Sequence, residues 1–230
     1  PENYKLPILA VSSFDDSSRR VELLRSGAND YIVKPYVKEE LMVRIKNLIT
    51  TKNLFDQVAI QQEQLYKQAM KDHLTGLHNR YSLESFLPKI NNSAIYRNKM
   101  IGILFFDIDF FKKINDEHGH SVGDSVLETM GELLSRFFKG DSFCARYGGE
   151  EFITLIFNYS HKKIVQLAED FRKLVFDTNF SGLHITISIG TTSSYITYQT
   201  DVNQLINRAD EALYKAKENG RNQVCSVDLR

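Results

Sequence analysis

Apolar residues change their period along the chain, and each change marks an element. Ile8-Leu9-Ala10-Val11 is a short apolar run behind Pro7 and predicts a buried strand. Residues 16–25 have a helical pattern with Val21 and Leu24 on one side, and Gly27 stops the helix. Tyr31-Ile32-Val33 predicts a second strand, ended by Lys34-Pro35. Strand, helix, strand is an α/β pattern, but two strands and one helix are too little to stand alone.

Residues 39–71 contain neither Gly nor Pro. Apolar or bulky side chains recur at Leu41, Ile45 and Leu48, then at Phe55, Ala59, Tyr66 and Ala69. The three-and-four spacing predicts one long helix with a weakly amphipathic second half. Such a helix packs on its own domain or pairs as a coiled coil. Gln61-Gln62-Glu63-Gln64 is too polar for a strong seam.

From Asp72 onward the pattern alternates between strands and helices. Strands are predicted at 100–107, 145–147, 152–157 and 184–190, the last from the alternation of Ile185, Ile187 and Ile189. Gly148-Gly149 reads as a two-residue hairpin turn, because both positions tolerate positive φ. Helices are predicted at 122–137 and 164–175. A last helix is capped by Asp201 and stopped by Gly220. The expected sum is an antiparallel-containing sheet with helices on one side.

Composition narrows the class. With 42% hydrophobic and 25% charged residues the chain affords a packed core. Lys+Arg and Asp+Glu balance at 29 each, so no basic face for duplex nucleic acid is expected. Cys144 and Cys225 make neither a disulfide framework nor a metal cluster, which fits free thiols in a cytoplasmic setting. No apolar run reaches membrane-spanning length, and no signal peptide is expected. The chain starts at Pro1 without Met, and a piece of a longer protein is expected.

Candidate chemistry begins with acids. Asp107-Ile108-Asp109 closes an apolar strand, and Glu150-Glu151 follows the predicted turn. If those strands pair, three or four carboxylates converge. Packed carboxylates repel unless a cation neutralises them, and oxygen ligands suit Mg²⁺ or Mn²⁺. Lys217 and Arg221, four apart, project to one side of the last helix. Phe110-Phe111-Lys112 stands where a loop turns into a helix, a place whose N–H groups can hold phosphate. A buried Asp124 beside Asn115 would read guanine, since a carboxylate accepts from both N1–H and the exocyclic amine. Asp124 equally fits a helix N-terminal acid.

These blocks resemble the GGDEF family of diguanylate cyclases. The resemblance rests on residues 72–80 (Asp72-His73-Leu74-Thr75-Gly76-Leu77-His78-Asn79-Arg80), 107–116, Gly119-His120 with Gly123-Asp124, Arg146 to Phe152, Ser188-Ile189-Gly190, and Ala209 through Asn222. It implies a nucleotide-cyclase or polymerase-palm-like α+β fold with a mainly antiparallel sheet, and condensation of two GTP into cyclic di-GMP and two pyrophosphates. It further implies two Mg²⁺ or Mn²⁺ ions per GTP, held by Asp107, the Ile108 carbonyl and Glu150. Glu150 is also the implied base for the 3′-hydroxyl, and Glu151 supports the metal cluster. Asn115 and Asp124 read guanine with His120 nearby, and Phe110, Phe111, Lys112, Lys217 and Arg221 hold phosphates. Relatives that accept ATP tend to lack the acid at Asp124, so its presence favours GTP. The family's Arg-x-x-Asp product-binding motif is replaced by Lys139-Gly140-Asp141-Ser142, which loses the bidentate fork and a charged acceptor.

Residues 7–13 and 27–35 resemble the carboxyl-terminal half of a response-regulator receiver domain. Ser12 stands for its switch hydroxyl and Lys34 for its phosphoryl-pairing lysine, while the phosphoacceptor Asp is missing. The expected organisation is a partial receiver over 1–38, a linker helix over 39–71 and a cyclase domain over 72–230. The implied partners are GTP, a second copy of the chain and an upstream histidine kinase. The alternative is a catalytically silent module that binds GTP or cyclic di-GMP.

Overall fold

The computed structural model describes residues 6–13 and 17–228. Position 16, where the first helix was expected to begin, lies outside them. The chain divides into two compact units, residues 1–68 and 69–230.

The first unit carries β1 (Leu9–Ser12), α1 (Ser17–Arg25), β2 (Asp30–Val33) and most of α2 (Lys38–Ala69). β1 and β2 pair in parallel, so the connection between them is the helical crossover that parallel strands require. α2 runs unbroken for 32 residues, as the absence of Gly and Pro dictates. Leu54, Phe55, Val58 and Leu65 on it are all about half or more exposed.

The second unit contains α3 (Arg80–Asn92), β3 (Met100–Ile108), α4 (Phe111–His118), α5 (His120–Phe137), β4 (Ser142–Gly148), β5 (Glu151–Phe157), α6 (His161–Asp177), β6 (Ile187–Tyr195), α7 (Val202–Glu218) and β7 (Val224–Asp228). The sheet order is β4-β5-β3-β6-β7. All neighbours are antiparallel except β6 and β7.

Helices cover both faces, not one. Along β3 the alternate residues Leu104, Phe106 and Ile108 enter a core shared with α5 and α6. Ile101, Ile103 and Phe105 enter a second core with α3 and α7. A strand buried on both faces reads as a continuous apolar run, which is why β3 is Ile-Leu-Phe-Phe at its centre. The strand expected at 184–190 begins at Ile187 and continues to Tyr195. Its polar residues Ser188, Thr191, Thr192 and Ser193 are buried rather than solvent-facing.

α7 lies close on β6 because Gly190 has no side chain. A Cβ there would stand 1.9 Å from the Ala209 carbonyl oxygen and 2.2 Å from the Leu213 nitrogen, both of them backbone. Main chain on a packed helix cannot give way as a flexible side chain would. Gly190→Ala is therefore expected to cost more than about 3 kcal/mol, read as a large loss of midpoint in urea unfolding. A midpoint equal to wild type would refute the close approach.

Candidate active site

The site is built where β3 ends. Asp107 pairs with Glu151 of β5 on one side and Ser188 of β6 on the other. The β4–β5 turn is Gly149-Glu150, one residue later than expected, because Gly148 already pairs with Glu151 and the ladder shifts register between Arg146 and Gly148. Gly149 takes φ +39°, whereas Gly148 is not in the left-handed region. Glu150 thus sits within the turn. Its carbonyl accepts from the Ile108 N–H at 3.4 Å, which ties the turn to the end of β3.

Asp107 is only 7% exposed. Its carboxylate meets the Lys217 ammonium at 2.6 Å. Burial pushes its pKa up from 3.8 to about 6; Lys217 draws it down, and the charges of Glu150 and Glu151 push it up further. Glu151 is also raised, first by burial, against the pull of Lys217.

Asp109 does not join this group, so the convergence is of Asp107, Glu150 and Glu151 only. Its carboxylate accepts from Ser188 Oγ at 2.7 Å, Thr186 Oγ1 at 2.7 Å and the Asn222 N–H at 3.0 Å.

Phe110 adopts the left-handed conformation, φ +58°, and opens α4. Phe111 is buried in the core, whereas Phe110 is exposed. Lys112 and His120 are exposed at the starts of α4 and α5. α7 stops at Glu218, so Arg221 is not on the helix with Lys217. It lies in a turn where Arg221 and Asn222 both have positive φ. That turn lays the Arg221 guanidinium 4.5 Å from the Phe110 ring centroid.

Asn115 is half-buried against α5, where the missing Cβ of Gly123 makes room for it: a Cβ there would be 1.9 Å from Asn115 Oδ1. Asp124 follows Gly123 but is exposed, not buried as expected. It belongs to the first turns of α5, on the face turned away from the core.

Sequence reasoning missed the contacts that hold the hairpin. Arg146 donates to the Gly149 carbonyl at 2.9 Å through Nε and meets Asp72 at 3.2 Å through Nη1. Burial alone would raise the Asp72 carboxyl, but the Thr75 N–H and hydroxyl together with Arg146 hold it below its ordinary range. His78 donates its N–H to Cys144 O and accepts from Arg146 N–H, covering the outer edge of β4. The Asp-x-x-Thr spacing of a side-chain cap was the available signal.

In the first unit, Lys34 donates its backbone N–H to Ser12 O at 2.8 Å. Near β4, Ser142 Oγ donates to Phe138 O at 2.8 Å, and Lys139 is exposed.

Among the described residues no three His, Cys, Asp or Glu side chains form a ready cluster for a metal ion. The set that fits one here is two carboxylates, Asp107 and Glu150, with the Ile108 carbonyl. It is an all-oxygen set in which burial disfavours the charge of Asp107, and oxygen donors suit a hard divalent cation. No helix among the described residues is long and apolar enough to cross a membrane.

The raised Asp107 pKa has a signed consequence for stability. A carboxyl whose folded pKa exceeds its unfolded value supports folding fully below about 3.8, and that support is lost as pH rises through about 6. In EDTA, Asp107→Asn is expected to raise Tm above wild type by about 2–4 °C at pH 8. The gap should close as pH falls towards 4. A variant that melts below wild type at pH 8 would contradict this.

The sequence profile of the family described as "Diguanylate cyclase, GGDEF domain" matches residues 69–223. The chain is 35% identical to the response regulator PleD of Caulobacter vibrioides over 226 residues, 96% of this chain and 50% of that protein. It is 37% identical to diguanylate cyclase A of Treponema denticola over 186 residues, 78% of this chain and 50% of that one. The chain thus spans about half the length of the curated relatives it matches. The crystal structure of the coiled coil and GGDEF domain of DgcB from Caulobacter crescentus, in complex with c-di-GMP, superposes with a TM-score of 0.71 at 28% identity. It covers 81% of this chain and 99% of that one.

Proposed function

The chain belongs to the GGDEF diguanylate cyclase family, and from that premise we propose that it condenses two GTP into cyclic di-GMP and two pyrophosphates. The observation that carries the reading is the buried Asp107 beside Glu150 and Glu151, with Lys217 on it and Arg221 nearby over Phe110. Acids that bind cations and bases that bind phosphate meet at one strand end.

Asp107, Glu150 and the Ile108 carbonyl are proposed to hold Mg²⁺ or Mn²⁺, two ions per GTP, with Glu151 in support. Bound there, the cations supply Lewis acidity toward the 3′-hydroxyl and the leaving pyrophosphate. Asn115 and Asp124 accept and donate at the guanine edge, with His120 beside them. Exposure suits Asp124 to a base that arrives from solvent. The N–H groups at Phe110, Phe111 and Lys112 lie at the start of α4 and face phosphate. Lys217 and Arg221 counter its charge. Lys217 then exchanges Asp107 for a phosphate oxygen. Glu150, in the turn, takes the 3′-hydroxyl proton. The O3′–Pα bond forms, and the Pα–O bond to pyrophosphate breaks. Repeated in the other direction, the step closes the ring.

Each domain holds one GTP in this reading, so two copies meet face to face. α2, with Leu54, Phe55, Val58 and Leu65 exposed, is the segment suited to pair them. The parallel β1–β2 pair and the match to a response regulator over 96% of the chain support a partial receiver over 1–38. The linker is then 39–71 and the cyclase domain 72–230, with control by a histidine kinase acting on the full-length protein in the cytoplasm. The silent-module alternative is disfavoured by the intact Asp107, Glu150 and Glu151.

Two measurements test this. With GTP and Mg²⁺, wild type should release pyrophosphate and cyclic di-GMP at a specific rate that rises with protein concentration. Glu150→Gln should lose at least about 100-fold. GTP binding without turnover at every concentration would favour the silent module. Second, Ser142 already caps Phe138 O and Lys139 lacks the guanidinium fork, so cyclic di-GMP should inhibit weakly or not at all. Tight inhibition that vanishes in Lys139→Ala would refute that expectation.

A further inference from the structure

Asp109 is a buried carboxylate, 4% exposed, two residues from Asp107 and next to Phe110. The family resemblance gave it no separate role. It stands close to the other acids in sequence, yet its bonds all lead away from them. Oδ1 accepts from Ser188 Oγ, and Oδ2 accepts from Thr186 Oγ1 and the Asn222 N–H. Its own N–H donates to Thr186 O at 2.9 Å. Two hydroxyls and one amide occupy the carboxylate, leaving it poorly placed to bind a cation as well.

The Asn222 bond spans 113 residues. It fixes a turn that needs fixing. Arg221 and Asn222 hold φ of +66° and +46°, and consecutive non-glycine residues in that region are strained unless their surroundings hold them. The turn is pinned elsewhere by the Arg221 N–H to Ala216 O and by the Ile189 N–H to Gln223 O. Arg172 Nη1 also donates to Asn222 Oδ1 at 2.8 Å, and Arg172 is itself held by Glu169. Asn222 is thus gripped by an acid through its main chain and by a cation through its side chain. Arg221, one residue earlier, is the group laid over Phe110.

We propose that Asp109 is a positioning residue that holds the Arg221–Asn222 turn, and so places the Arg221 guanidinium over Phe110 at the phosphate-binding end of the site. The proposal rests on the cyclase reading above. Asp109 does not touch substrate; it acts through Asn222 on Arg221. Arg172 is the second strut of the same turn.

The test uses the full chain with Asp109→Ala, Asp109→Asn, Arg172→Met, Arg221→Ala and the Asp109→Ala/Arg221→Ala pair, each verified as folded by its thermal melt. Two quantities are measured without turnover: Mn²⁺ binding to the protein alone, and binding of a non-hydrolysable GTP analogue. Asp109→Ala should weaken analogue binding about 10-fold, the scale of one charged hydrogen bond lost from a strained turn. Asp109→Asn, whose amide oxygen still accepts from Asn222, should lose less than about 3-fold. Arg172→Met should fall in the same direction. In the Arg221→Ala background, Asp109→Ala should add less than about 2-fold, because the group it positions is gone. Mn²⁺ binding should stay within about 2-fold of wild type in the Asp109 variants. Full additivity with Arg221→Ala would overturn the positioning role, as would a loss of Mn²⁺ binding of about 10-fold or more in the Asp109 variants. Coupling in a protein that makes no cyclic dinucleotide would overturn the cyclase reading alone. Turnover without coupling would overturn the positioning role alone.

Discussion

An antiparallel ladder that sets Asp107 opposite Glu151 brings carboxylates together where water screens them poorly. Like charges so placed must be neutralised, and much of the unit serves that need. Lys217 reaches Asp107 because α7 lies tight on β6, and α7 lies tight because Gly190 has no side chain. The turn of β4 and β5 is held at the end of β3 by Glu150 O, and from its far side by Arg146 and Asp72. Remove the register and neither the acids nor their counterions have a common address.

The raised Asp107 pKa expresses the same constraint as energy. In the metal-free protein the carboxylate is a cost only partly offset by Lys217. Burial at this strand end disfavours the charge that Lys217 stabilises. Asp109 shows a different arrangement two residues on, where three neutral donors bind the carboxylate. The pleat explains the division of labour only in part: odd residues share a face, and β3 ends at Ile108, so Asp109 leaves the strand and turns to the loop before β6.

Much of this was legible in the sequence. The apolar run of β3, the capped and glycine-stopped α7 and the unbroken α2 follow from period and punctuation alone. The acids and bases of the site stand in blocks whose spacing carries the family resemblance. What was not legible depends on tertiary placement. Gly148-Gly149 gave a turn, but the register shift at Tyr147 moved it one residue on. β6 looked half-exposed because its alternate residues are Ser and Thr, yet helices on both faces bury them. β7 is a parallel partner supplied by a distant segment, and α3 carries an internal Pro88 that interrupts its pattern. Lys217 and Arg221 sit four apart in sequence, but the helix ends between them.

His78 caps the outer edge of β4, with one hydrogen bond given to Cys144 O and one accepted from Arg146 N–H. An open strand edge is a template for another chain to extend the sheet. Here the middle of that edge is already taken by the chain's own residue His78. At Ala145, where His78 bridges, β4 is therefore not open to a further strand.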